Sequence, residues 1–504
     1  MKIEDLLTEE QGARGFIAFE TFVVNLLKIH VQKQGKPFII APEYKIGDAL
    51  ASEGFDEFKG STLIEVKVIA RGGRFRSIIE NFTFRPLEIR QVKNLIVITP
   101  TPVSVIQNIL NEYSHSELFL KIKYDEVNIT FWGPDEINKI INKHKKDAIS
   151  LANNLFYLKV ENAVKAEKDN WEIEREEKVT LLEKYYERGQ FSFFLGAGVS
   201  SSAGMPDWNT LLNSLFVSYL TKEFTDNASV SDNDIREIVK RLNNIDEPSA
   251  LMAARYLRKG LSKEIKEVKE FTKTITESLY KLRDTTKDKN SVLITTIANL
   301  CMPKRTGAKV KSVVTYNFDD LLESQLDASS IRRHSIYSEN EYYDPDELPI
   351  YHVHGFLPEN SENYQRLEKS TLVFSEEGYH QIYSDPYHWS NLVQLTNLRE
   401  NNCVMVGLSM TDPNLRRLLD ISSRDIEAPR HFAFMRRMTV DRFLQSNSSE
   451  KDNVSTISNL PAAKQFLKSH HKLNEQIMEE LGVSVIWFEE FEEIPKILSK
   501  LNGV

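Results

Sequence analysis

The chain has 504 residues, 41% of them hydrophobic and 27% charged, with a formal charge of −9. That length carries roughly two to four domains, each with its own core. The acidic balance excludes a wholesale polyanion coat but leaves room for a local basic patch. The only two cysteines, Cys301 and Cys403, exclude a disulfide framework and a four-thiolate zinc site. With them, an acidic N-terminus lacking signal-peptide character and the want of any run of about 18 apolar residues predict a cytoplasmic protein without a membrane span.

Residues 1–150 read as one α/β domain. GFIAFETFVVNLLKI has apolar positions at helical spacing, and STLIEVKVIA and KNLIVITPTP are short β-rich runs bounded by turn residues. KIKYDEVNITFWG predicts a further strand pair. In EGFDEFKGSTLIEVKVIA, Asp56 precedes a strand carrying Glu65 and Lys67, which share a face because they lie two apart. Two acids and a lysine so placed can hold Mg²⁺ through Asp56 and Glu65 and activate water for phosphodiester hydrolysis. Glu20 on the preceding helix offers another carboxylate, and Asp48 competes with Asp56 as the first acid. An exposed Glu65–Lys67 ion pair is the plain alternative. Arg71, Arg74, Arg76, Arg85, Arg90 and Lys93 follow, interleaved with Phe75, Phe82 and Phe84, a pattern suited to DNA phosphates.

Residues 151–188 are highly charged and helical in pattern; a solvated connector is expected, with a helix packed on a flanking domain as the alternative. From 189 to 504 apolar strands alternate with helices, predicting a Rossmann-like, doubly wound parallel sheet. A helical insertion is expected at about 209–300 and a polar loop at 445–459. In FSFFLGAGVSSSAGMPDW, a strand runs into Gly196, Ala197, Gly198 and Ser200, then Pro206, Asp207 and Trp208. A strand feeding such a turn aims amides at an anion, with a dinucleotide pyrophosphate the usual occupant. TYNFDD places Asn317 and Asp319 past the next strand, with helix capping by Asn317 or Asp320 as the structural alternative. YHVHG places His352 and His354 on one face if the strand is regular, and His354 suits general base work on a ribose hydroxyl. VMVGLSMTDP ends a strand at Gly407 and Ser409, with Asp412 and Pro413 opening a helix.

These four motifs, in this order over about 190–430, resemble the sirtuin superfamily: GAGVSSSAGMPDW the phosphate and nicotinamide loop, TYNFD the Asn-Xaa-Asp signature, His354-Gly355 the catalytic His-Gly, and Gly407 and Ser409 the ribose motif. The four-cysteine zinc module of deacylating sirtuins is missing, and Asn209 stands where an arginine is usual. The pattern is most similar to divergent sirtuins of bacterial antiphage defence, which implies hydrolysis of NAD⁺ as substrate and a helicase-like or nucleic-acid-binding partner; the helical block and the connector helix offer interfaces for the homo-oligomer expected. Over about 10–110 the Asp…Glu-Xaa-Lys core resembles the Mrr-like restriction-endonuclease fold, implying Mg²⁺ and DNA. A different class of reading makes the chain a Mg²⁺-dependent endonuclease whose sirtuin-like domain only senses NAD.

Overall fold

The computed structural model describes Ile3 and residues 13–40, 47–67, 92–105, 107, 127–155, 171–206, 211, 265–339, 341–370, 372–373, 382, 384–424, 428–444 and 460–502. The basic and aromatic positions from Arg71 to Arg90, Asp207 to Asn209, and the loop 445–459 lie outside these residues. The chain divides into two compact units, one formed by residues 1–169, 423–429 and 440–481, the other by 170–422, 430–439 and 482–504. Among the described residues no helix is long and apolar enough to cross a membrane.

In the first unit, helix α1 (Ala13–Gln32) buries Phe19, Phe22, Val23, Leu26 and Leu27, the stripe its spacing predicts. The strands are β1 (Ile39–Ile40), β2 (Ala49–Ala51), β3 (Gly54–Phe55), β4 (Phe58–Lys59), β5 (Thr62–Val66), β6 (Asn94–Ile98) and β7 (Asn128–Trp132). Five of them form a mixed sheet of order β1-β2-β5-β6-β7, with β5, β6 and β7 parallel and β2 antiparallel to β5; β3 and β4 form a separate hairpin. Helices α2 (Pro134–Lys143) and α3 (Lys145–Asn153) follow. Pro134 opens α2, and Glu136 accepts the Gly133 amide at 2.9 Å. A helix from the far end of the chain, Leu460–Glu480, belongs to this unit and packs on α1.

In the second unit, helix α4 (Trp171–Arg188) corrects the expected solvated connector. It buries Val179, Leu182 and Tyr186, donates from Arg175 to Glu493 and from Lys178 to the Val485 carbonyl, and so lies on the unit's own sheet. Its charged residues mask a narrow apolar stripe that a composition reading overlooks. The strands are β8 (Phe191–Leu195), β9 (Val310–Thr315), β10 (Arg333–Ile336), β11 (Leu348–His352), β12 (Asn402–Val406), β13 (His431–Arg436) and β14 (Val483–Phe488). All seven are parallel, in the order β10-β11-β9-β8-β12-β13-β14. The doubly wound parallel sheet is thus the observed architecture. Edge strand β10 is the one the sequence hides, because RHSI lacks an apolar run. Every residue of β8 and β12 is buried, as in a strand covered on both faces.

The remaining helices are α5 (Ala197–Ser202), α6 (Ile265–Lys281), α7 (Val292–Cys301), α8 (Leu321–Ala328), α9 (Trp389–Glu400), α10 (Pro413–Ser423) and α11 (Glu493–Lys500). Helix α7, placed by sequence inside the insertion, is a layer helix of the core. Ser291 caps it by accepting the Ile294 amide, and Ile294, Ile297 and Leu300 pack into the core shared with α8 and α11. Residues 212–264 of the expected insertion lie outside the described residues.

Candidate active site

The sheet itself selects the site. From β8 the chain proceeds to β9 on one side and later returns to β12 on the other, so the carboxyl end of β8 is a topological switch point, where open α/β sheets form a crevice. Register then aligns the motifs. Leu195 pairs with Thr315 and with Val406, and Thr315 pairs with His352. Asn317 and His354 each lie two residues beyond paired strand ends, and so come level. A cavity of about 350 Å³ opens there, lined by Ala197, Ser200, Met205, Pro206, Tyr316, Asn317, Phe318, Asp319, His354, Ser409, Thr411, Asp412 and Pro413 among others.

The glycines do something other than expected. The Gly196 amide donates to Val406 O and the Gly198 amide to Gly407 O, both at 2.9 Å, so these two N–H groups are not aimed at a ligand. A Cβ on Gly198 would stand 2.7 Å from the Gly407 Cα, and Gly407, at φ +69°, would drive one to 2.6 Å from the Val199 amide. The three glycines let two backbones touch, and Ala197, Ser200 and Pro206 line the cavity in their place. Asp207 and Trp208 lie outside the described residues.

Asn317 is anchored by its side chain: Nδ2 donates to Gly196 O at 3.0 Å and to Ser200 Oγ at 2.8 Å. Both amide hydrogens are occupied, which leaves Oδ1 as the acceptor it can offer a ligand. The buried Asp319 accepts the Leu321 amide at 3.3 Å. Burial pushes its carboxyl up to about 6, with the Ser200 hydroxyl opposing and the Glu323 and Asp320 charges adding. Asp320, the expected cap, instead accepts from Tyr280 and from the Glu359 amide.

His354 is buried, meets the Tyr316 ring edge-on at 4.7 Å between centroids, and places Nε2 4.0 Å from Asp412 Oδ2. Burial holds its pKa below the ordinary histidine value, with the Asp412 charge opposing. Asp412 caps α10 through Leu415 N, as its Asp-Pro sequence suggests, and still lines the cavity. Ser409 Oγ and Thr411 Oγ1 lie 2.7 Å apart, and both residues line the cavity. The two histidines part company: β11 ends at His352, the turn at Val353–His354 breaks the alternation, and His352 is buried against Glu323 rather than in the cavity. Tyr316, Thr411 and Glu323 were not singled out in the sequence; Tyr316 adjoins Asn317, but nothing local marks Glu323.

In the first unit, Lys67 Nζ lies 3.3 Å from Glu65 Oε1 and 3.7 Å from Asp48 Oδ1. Asp48 Oδ2 accepts the Val66 amide at 2.6 Å, fixing that carboxylate beside β5. Desolvation works against the Lys67 charge, yet Asp48, Glu65 and Glu20 hold its pKa above the ordinary lysine range. Desolvation and then the Asp48 charge raise Glu20, with Lys67 opposing, so Glu20 shares this face although solvent still reaches it. Asp56 does not join them, which corrects its assignment as nuclease acid and metal ligand. The β3–β4 hairpin turns Asp56 away, at φ +44°, onto His30 Nε2 at 2.7 Å and Gln34 Nε2 at 3.0 Å. Against a desolvation that would raise it, His30 holds the Asp56 carboxyl below the ordinary range. Among the described residues no group of three or more His, Cys, Asp or Glu side chains is disposed to hold a metal ion.

No curated protein matches the chain. A family model described as the SIR2-like domain matches residues 311–457, which takes in Asn317, Asp319, His354, Ser409 and Asp412 and leaves out the glycine loop. That match supports a sirtuin-like C-terminal domain and suggests an NAD-related function.

Proposed function

We propose that the C-terminal unit hydrolyses NAD⁺ to ADP-ribose and nicotinamide. The observation that carries this reading is the convergence of Asn317, Asp319, His354 and Asp412 on one cavity at the switch point. The cavity lining includes two carboxylates and no Lys or Arg among the described residues, which suits the cationic nicotinamide–ribose end of the substrate. Nicotinamide departs as a neutral base, and positive charge then develops on the ribose. Asp319 and Asp412 lie where that charge forms. Asn317 Oδ1 accepts from a ribose hydroxyl or the attacking water. His354, held neutral by burial, takes a proton from a ribose hydroxyl as positive charge develops on the ring and returns it to that oxygen once water has added. Water bonds to the anomeric carbon as the nicotinamide bond breaks, and its proton leaves to solvent. No zinc module of the deacylating kind is present to shape an acyl-lysine cleft, since only two cysteines exist and both are buried apart from the site.

Full-length protein incubated with NAD⁺ is expected to release nicotinamide, and His354→Ala and Asn317→Ala to abolish release with unchanged circular dichroism. Turnover retained in the double variant overturns the assignment. NAD⁺ bound but unconsumed points instead to a sensor. The role in antiphage defence rests on the resemblance alone; plating efficiency of phage on cells carrying wild type or His354→Ala tests it.

A second reading concerns the first unit, supported by the meeting of Asp48, Glu65 and Lys67. Mg²⁺ commonly takes one or two protein carboxylates and completes its shell with water, and Asp48 and Glu65 fit that donor set. There the ion would supply an activated water for phosphodiester hydrolysis. Lys67 would hold a phosphate oxygen, and Glu20 would orient water. On this reading the Mrr-like domain, about residues 1–150, binds or cuts DNA.

A further inference from the structure

Beneath the cavity, Glu323 of α8 and His352 of β11 form a pair whose side chains are each 1% exposed, with His352 Nε2 2.6 Å from Glu323 Oε1. The other ring nitrogen, Nδ1, lies 3.2 Å from the backbone carbonyl oxygen of Asn317. The two ends of this chain fix the direction of its outer hydrogens, and an ionised Glu323 fixes the rest. Arg333 can only donate, and Nη1 does so to Ser335 Oγ at 3.2 Å. Ser335 then gives its single hydrogen to Glu323 Oε1 at 3.0 Å. At the far end the Asn317 carbonyl can only accept. His352 thus stands between two acceptors, and a neutral imidazole, with one N–H, satisfies only one of them.

We propose that His352 is a positioning residue of the site: a buried imidazolium, balanced by Glu323, whose Nδ1–H fixes the Asn317 peptide. The Asn317 side chain is already tied to Gly196 O and Ser200 Oγ. With the backbone held as well, Oδ1 keeps one direction into the cavity. The proposal rests on reading Asn317 as the group that meets substrate. The surrounding charges support it. Burial opposes ionisation of Glu323, but His352 and then Arg333 hold that carboxyl below the ordinary range, while Asp319 and Asp320 are the other acids that feel Glu323. With its partner ionised and its second nitrogen on a carbonyl, His352 has no arrangement in which a bare ring nitrogen is matched.

The test combines a spectrum with kinetics on the full-length protein. With labelled histidine, ¹⁵N NMR at pH 7.5 is expected to show a ring protonated on both nitrogens that disappears in His352→Gln; a neutral ring assigned to His352 overturns the proposal. His352→Gln is expected to lower kcat about 10- to 100-fold, by loosening a substrate-aligning group, with KM for NAD⁺ within about threefold. If that variant does not fold, the double variant His352→Gln/Glu323→Gln removes both buried charges together. A folded double variant with low kcat supports positioning, and one with wild-type kcat shows a purely structural pair. If the wild type binds but does not consume NAD⁺, the hydrolase reading fails, while the histidine spectrum still decides the imidazolium.

Discussion

His354 Nε2 stands 4.0 Å from Asp412 Oδ2, while Asp412 Oδ1 accepts the Leu415 amide at 2.7 Å. One carboxylate therefore begins helix α10 and stands beside the buried imidazole in the cavity wall. The two duties separate by substitution, because Asn caps a helix about as well as Asp but carries no charge.

Asp412→Asn is expected to change stability by less than about 1 kcal/mol and to lower kcat by about 10- to 100-fold, since a charge near the developing ribose cation is lost. Asp412→Ala additionally loses the cap, about 1 kcal/mol. Thermal melts and nicotinamide release on the two variants check this. Full activity in Asp412→Asn would leave the residue with its cap alone.

Asp319 gives a stability signature. Its folded pKa, about 6, exceeds the ordinary 3.8, so the folded state holds a proton that the unfolded chain has released. Its contribution is fully present below pH 3.8 and is lost as pH rises through about 6, by about 3 kcal/mol. His354 runs the other way: its depressed pKa gives stability above the ordinary 6.5 that is lost as pH falls through the folded value. Asp319→Asn is expected to be more stable than wild type at pH 7, equal to it below pH 3.8, and poorly active. Denaturant titrations of both proteins at several pH values isolate Asp319, because His354 contributes to each alike. A wild-type advantage at pH 7 would remove the basis for a strained acid at this site.

Gly407 tests the contact between the two loops. Its φ of +69° and the 2.6 Å approach of a Cβ to Val199 N leave no room for a side chain. Gly407→Ala should cost about 2 kcal/mol or more, from left-handed strain plus the clash, and displace Ala197 and Ser200 from the cavity wall. Unchanged melting would mean the loops separate freely.

Strands β8, β9, β12 and β14 were legible in the sequence because each carries an unbroken apolar run, FFL, VV, CVMV and VIWF. Polar β10 was not, and neither was the apolar stripe of α4 among its charges. At the site, Asn317 and His354 were legible because each follows the end of a strand, and equal offsets past paired strand ends bring them level. The Glu323–His352 pair was not, since it depends on a helix packing against a strand 29 residues later. The glycines were legible as a close approach but not as a contact between two loops: spacing shows where a backbone must approach something, not that the something is another stretch of the same chain.

The choice between Asp48 and Asp56 is the sharpest instance. Both precede β5, and sequence order cannot separate them, but the β3–β4 hairpin carries Asp56 to His30 while Asp48 stays beside Val66 and Lys67. With Mg²⁺ and supercoiled plasmid, Asp48→Asn, Glu65→Gln and Lys67→Ala are expected to abolish nicking by the full-length protein. Asp56→Asn is expected to nick normally and to lose about 1–3 kcal/mol of stability with its bond to His30. The reverse pattern would return the first acid to Asp56 and require the hairpin to rearrange on DNA. Wild type that binds DNA without nicking it would make this unit a recognition module, with Lys67 as one of its phosphate contacts and its carboxylates a fixed ion-pair cluster.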